Sequence, residues 1–173
     1  MSKNFRLVFM GLLTAQALVL YIVEAMIPVP FIAPGAKLGL TNLVTVIALY
    51  MFQSKKDVFL IIFTRLLLSS IFSGNMSTFL FSVAGAVLSF FIMVLVKEIG
   101  KDHVSIIGVS ASGAVFHNIG QLLVASFVLE TPSIMLYLPI LTFTGIGTGI
   151  FIGISGNYIV NHMSKIKYLN FHE

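Results

Sequence analysis

Few groups in this sequence could do chemistry, and most of them sit in apolar surroundings. His117, Asn118 and Gln121 interrupt a stretch made mainly of Val, Ile, Leu, Ser, Ala and Gly. At about 100° per residue they stand at about 0°, 100° and 40° around a helix, which puts them on one polar face. Such a face inside a bilayer either bonds to neighbouring helices or lines a ligand site, and the residue types alone leave both readings open. Arg65 lies two turns beyond Asp57, on the order of 10 Å along a helix and near the limit from which a long side chain snorkels back to water. A buried role for Arg65 is therefore favoured, either paired with a carboxylate or facing an aqueous cavity. Catalytic signatures are missing. The sequence has no aspartate-rich motif for magnesium and diphosphate, no Gly-rich phosphate loop with its Lys, no zinc-type His and Glu pairing and no triad. The four His and six acidic residues are dispersed, and there is no Cys to act as thiolate ligand or nucleophile. The expectation is a non-enzyme without metal or cofactor.

The elements that carry these residues are apolar almost throughout. Of 173 residues, 58% are hydrophobic and 9% charged, with a mean hydropathy of +1.05; soluble domains are about a quarter charged. The net charge of +4 comes from short basic patches between apolar runs, unlike the single basic face that binds nucleic acid. Six runs approach the length of about 20 residues that a helix needs to cross a bilayer: 7–27, 39–53, 58–73, 78–96, 104–128 and 135–161. The second and third are short, as broken or tilted elements would be. Lys3 and Arg6 before the first run imitate a secretory signal, but the run leads into Glu24 and Pro28 without a small-x-small cleavage site, so it reads as a retained helix. The expected fold class is an all-α integral membrane protein, a six-transmembrane-helix bundle in one domain over residues 1–173.

Orientation follows from the basic residues, because cytoplasmic loops are enriched in Lys and Arg. In a six-span arrangement Lys3, Arg6, Lys55, Lys56, Lys97, Lys101, Lys165 and Lys167 fall on one side, and Lys37 alone on the other. Both termini are then cytoplasmic, in a multi-pass protein of the bacterial cell membrane. The segment 28–38, with Pro28, Pro30, Pro34 and Gly35, becomes an outer loop. Glu24, Lys37, Asn42 and Asn75 gather at that outer end, either as solvated loop groups or, with the His117 face, as the lining of an outward-opening pocket roofed by the Pro-rich loop. Gly145, Gly149 and Gly153 line one face of the last helix, where close packing within the chain is the favoured reading. Gly11 and Ala15 form a weaker notch on the first helix, as suited to a partner's helix as to internal packing.

Three segments carry a family likeness: APGAKLGLTN at 33–42, GNMSTFLFSVAGAVLSF at 74–90 and GAVFHNIGQLLVA at 113–125. With them the chain resembles, over nearly its whole length, the bacterial Gx transporter family, whose members are often labelled heptaprenyl diphosphate synthase component I. The resemblance implies a protein similar to the substrate-binding S component of energy-coupling factor transporters. Such a component takes a small-molecule micronutrient from outside and works with a transmembrane coupling subunit and cytoplasmic ATPase subunits. It also implies that the first helix docks the coupling subunit, here through Gly11, Ala15 and Ala17, although Thr14 and Gln16 depart from the usual alanine spacing. The synthase label conflicts with the residues, which offer no acidic pair to hold magnesium on a diphosphate. The family's association with flavin-based extracellular electron transfer and quinone metabolism implies an alternative, a non-catalytic membrane component of such a pathway or of prenyl diphosphate synthesis. For the transporter reading the solute is a small, partly apolar vitamin, quinone precursor or isoprenoid-related compound.

Overall fold

The computed structural model describes residues 3–26, 39–73 and 76–165. Every regular element in them is helical: α1 (Lys3–Met26), α2 (Asn42–Met51), α3 (Lys55–Ser73), α4 (Met76–Gly100), α5 (Ile106–Val128) and α6 (Leu138–Met163), with short 3₁₀ turns at Lys101–His103 and Pro132–Tyr137. The expected all-α membrane fold is present. Helices α1, α4, α5 and α6 are each long and apolar enough to cross a membrane. Large side chains such as Val8, Phe91, Phe127, Phe143 and Phe151 are exposed on their outer faces, a surface that lipid tolerates and water does not.

The two short elements differ from the other four. Helix α2 has ten residues, about 15 Å at 1.5 Å per residue, half the thickness of a hydrocarbon core. Gly39, at φ +85°, turns the chain just before it, and Phe52 leaves it in an extended conformation. The apolar run 39–53 is thus longer than the helix it forms. Helix α3 has 19 residues but carries Lys55, Lys56, Asp57 and Arg65. The last helix starts at Leu138, with Pro139 in the first turn, where its missing N–H is not needed.

Glycine sets the spacing of α4, α5 and α6. A Cβ on Gly149 would lie 2.5 Å from Ala111 Cα, and one on Gly153 would lie 2.6 Å from Ile107 Cα. Gly145 makes a similar approach to Val115, so the whole stripe packs against the backbone of α5, as expected from its spacing. On the other side of α5, a Cβ on Gly120 would meet the Ala84 carbonyl of α4 at 2.7 Å. The α1, α2 and α3 side instead packs through larger groups, with Phe9, Leu13, Ile47, Ile61, Leu66 and Phe90 in one buried cluster.

Charges tie one end of the bundle. Arg6 of α1 pairs with Asp57 of α3, and Lys55 of α3 pairs with Glu98 of α4. Lys97 donates to the Leu49 carbonyl at 2.6 Å and sits 4.2 Å from the centre of the Tyr50 ring. Glu24 stands about 27 Å up α1 from Arg6, at the other end.

Candidate functional site

Helix α5 sends its polar groups in two directions. The Asn118 amide nitrogen donates to the Leu141 carbonyl of α6 at 2.8 Å. Gly145 makes room for it, since a Cβ there would lie 2.9 Å from that nitrogen. His117 and Gln121 face α4 at Gly85, whose added Cβ would meet Gln121 Cγ at 2.9 Å and His117 Cε1 at 3.0 Å. Gln121 Nε2 lies 2.5 Å from His117 Nε2. An amide nitrogen can only donate, so the ring nitrogen accepts, and a neutral imidazole then carries its proton on Nδ1. All three side chains are buried.

The His117 ring also touches the start of α2. Its Cδ2 lies 3.4 Å from where a Gly39 Cβ would stand, and the Asn42 amide nitrogen lies 3.2 Å from the same point. A side chain at residue 39 would therefore press on both Asn42 and His117. Gly39 is itself held by α1, because its N–H donates to Glu24 Oε1, and the Leu40 N–H donates to the same oxygen at 3.3 Å. Glu24 is 3% exposed. Arg65, 4% exposed, lies within electrostatic reach of Glu24 and of Tyr21. A guanidinium at that depth needs an anionic neighbour, and Glu24 supplies it.

Glu24, Asn42, Arg65, His117 and Gln121 thus converge from α1, α2, α3 and α5, while Asn118 turns aside to α6. Lys37 and Asn75 lie outside the described residues. Tyr21, Thr41, Thr45, Ser69 and Ser82 are buried polar or aromatic groups that sequence reasoning passed over. Tyr21 and Ser69 had a usable signal, since they stand three residues before Glu24 and four after Arg65 and so share their helix faces. Ser82 is one turn from Gly85 on α4, but nothing in its neighbours marked it.

Among the described residues the buried polar atoms without a hydrogen-bond partner include one near the start of α2 and the hydroxyls of Ser82 and Ser89 on α4 and of Ser110 on α5. Asn42 is 2% exposed, and its amide nitrogen has no hydrogen-bond partner among the described residues. The Ser82 hydroxyl, in a side chain 4% exposed, has none either. Among the described residues no group of three or more His, Cys, Asp or Glu converges in a way that could hold a metal ion. The chemistry on offer is hydrogen bonding by amides and an imidazole beside a compensated charge pair.

A second feature lies on the outside of the bundle. Gly11 and Ala15 are exposed and line a 350 Å³ groove between α1 and α3, walled by Leu7, Leu18, Leu60 and Leu68. Ala17 points the other way, into the core, at 3% exposure.

A family model described as heptaprenyl diphosphate synthase component I matches residues 13–159. The chain belongs to that family. The matched stretch runs from α1 into α6 and takes in every residue of the polar cluster. It is also the family that the segments at 33–42, 74–90 and 113–125 resemble. No curated protein and no solved structure matches the chain.

Proposed function

We propose that this chain is a non-catalytic, solute-binding membrane subunit, similar to the S component of an energy-coupling factor transporter. The reading rests above all on the buried polar cluster at one end of the bundle, in which the Asn42 amide nitrogen has no hydrogen-bond partner among the described residues. Polar groups in a membrane interior are expensive, and those kept there without mutual satisfaction are most simply explained by something that binds them. The cluster lies at the end of the bundle opposite Arg6, Lys55 and Lys97. By the charge rule that basic end is cytoplasmic, so the cluster faces outward in a cell-membrane protein with both termini inside. The solute is a small, partly apolar molecule. Its energy comes from partner subunits, and the groove at Gly11 and Ala15 is where a coupling subunit's helix would lie; Ala17, being buried, supports that helix from behind.

The family name favours a second reading, since a component I implies association with other subunits in heptaprenyl diphosphate synthesis. In that reading the chain is a non-catalytic membrane partner, and the same cluster holds a quinone-linked or isoprenoid-related compound or merely joins helices. The two separate in one experiment: native mass spectrometry of the protein purified in lipid nanodiscs. A retained small molecule whose occupancy falls about tenfold or more in Gln121→Ala supports solute binding, as loss of a buried hydrogen bond predicts. A protein that carries no small molecule and co-purifies with a prenyl-transferring enzyme would sink it.

A further inference from the structure

Taking the solute-binding reading as its basis, we infer that Asn42 is the group that meets the solute, and that it receives an acceptor oxygen, a carbonyl or a carboxylate. Buried amide nitrogens are almost always partnered, and the exceptions call for a reason. Asn118, on the same family of helices, obeys the rule by donating to Leu141. Asn42 does not, although acceptors are nearby. The Gly39 carbonyl already takes the Asn42 backbone N–H at 2.8 Å, and Glu24 Oε1 takes the N–H groups of Gly39 and Leu40. On α5, His117 Nε2 takes the Gln121 amide. Each of these three acceptor atoms already takes a hydrogen bond, and the Asn42 donor has no partner among the described residues.

The surroundings select the sign of the missing partner. The amide N–H attracts an acceptor oxygen and repels a cation. Gly39 lets the Asn42 amide and the His117 ring approach each other closely, since a Cβ there would press on both, and the carbon edge of the imidazole gives the amide an apolar neighbour. A small, partly apolar ketone, quinone-type or carboxylic compound fits these demands, whereas an amine does not. The unpartnered donor is then a feature kept for binding at some expense of the empty fold.

That last point makes the inference testable without knowing the natural solute. The full chain, in lipid nanodiscs, is titrated with 1-tetralone, 2-naphthoate and 2-naphthylmethylammonium, which share a skeleton size and differ in the polar group. Thermal unfolding and bound mass are read for wild type and for Asn42→Leu. The expected result is that the two oxygen probes bind the wild type and the ammonium probe does not. Asn42→Leu should lose affinity about tenfold or more, while its unfolding midpoint without probe equals or exceeds that of the wild type. Equal binding of the ammonium probe, or unchanged oxygen-probe binding in Asn42→Leu, overturns the acceptor assignment and leaves solute binding in place. So does a wild type that retains a cellular compound yet binds none of the probes. A lowered midpoint with unchanged probe binding makes the amide a structural group and overturns the inference in the same way. Failure of the wild type to bind any probe or retain any cellular compound removes the solute-binding reading itself.

Discussion

Replacing Glu24 by Gln should cost this fold far more than one hydrogen bond. Gln keeps the shape of the side chain and an oxygen that can still accept from the N–H groups of Gly39 and Leu40. What disappears is the negative charge opposite Arg65, which is 4% exposed. Removing one partner of a buried pair costs about 3–5 kcal/mol, against about 1 kcal/mol for an ordinary neutral hydrogen bond. Arg65→Met strands the carboxylate instead, but two backbone N–H groups continue to hold it, so the loss should sit at the lower end of that range. The double variant strands neither charge. It should recover at least about 2 kcal/mol relative to the sum of the two single losses, as a buried pair exchanged for neutral groups does. The assay is SDS titration in mixed micelles followed by circular dichroism, run on wild type, E24Q, R65M and the double variant. Additivity within about 0.5 kcal/mol, the behaviour of independent sites, would refute the pairing.

Asn118→Leu removes a helix-to-helix bond and should lower stability by about 1–2 kcal/mol in the same titration, with solute retention by native mass spectrometry little changed. Gly149→Ala forces a methyl against Ala111 Cα and should cost about 1–3 kcal/mol, whereas Gly147→Ala, with nothing within 4 Å, should be neutral or stabilising by up to about 1 kcal/mol. Replacing Gly11 and Ala15 together by Leu should fill the groove beside α3, abolish pull-down by an energy-coupling module and leave the unfolding midpoint unchanged. Cysteine introduced at the exposed Asp102 should react with an impermeant maleimide only after the cells are opened, and cysteine at Pro132 should react in intact cells.

The parts of the fold that were legible in the sequence are those where one residue type has one physical consequence. Long apolar runs with few charges specify α1, α4, α5 and α6, and glycine at four-residue spacing specifies close packing within the chain, which the structure makes against α5. Arg65 was legible as a buried charge because its distance from the interface is a matter of helix rise alone. The partition of His117, Asn118 and Gln121 was not. An angular spread of about 100° is wide enough to meet two neighbours, and the direction of Asn118 depends on Gly145, a residue 27 positions away that opens space for its amide. The brevity of α2 was legible in part, since the run 39–53 is short for a span, but the helix is shorter still because the backbone leaves it at Gly39 and Phe52 while the apolar run continues. Ala17 shares its type and helix with Ala15 yet faces the core, because two positions on a helix differ by about 200°.

The position of the cluster follows from how unevenly the bundle is glued. Between α4, α5 and α6 the contacts at Gly120, Gly149 and Gly153 run from glycine to backbone, which cannot swing away to make space. Between α1 and α3 the contact is made by larger side chains and leaves a groove of 350 Å³. The polar groups sit along the seam between these halves, with His117 and Gln121 on the tight side and Glu24, Asn42 and Arg65 on the loose one. Movement of α1 and α2 relative to α5 would therefore change the space around Asn42 while leaving the glycine seams of α4, α5 and α6 intact, and it would be resisted by the packing of Gly156 on Val46 and by the Glu24 bonds to Gly39 and Leu40. A carboxylate that both balances a buried guanidinium and holds the first turn of α2 links charge to geometry at one atom. The E24Q variant cuts that link on the charge side alone, and for that reason its cost and its effect on probe binding should be measured on the same preparation: a stability loss with intact binding means that the backbone bonds suffice to shape the site, whereas loss of both means that the guanidinium itself must be held in place for Asn42 to meet its oxygen.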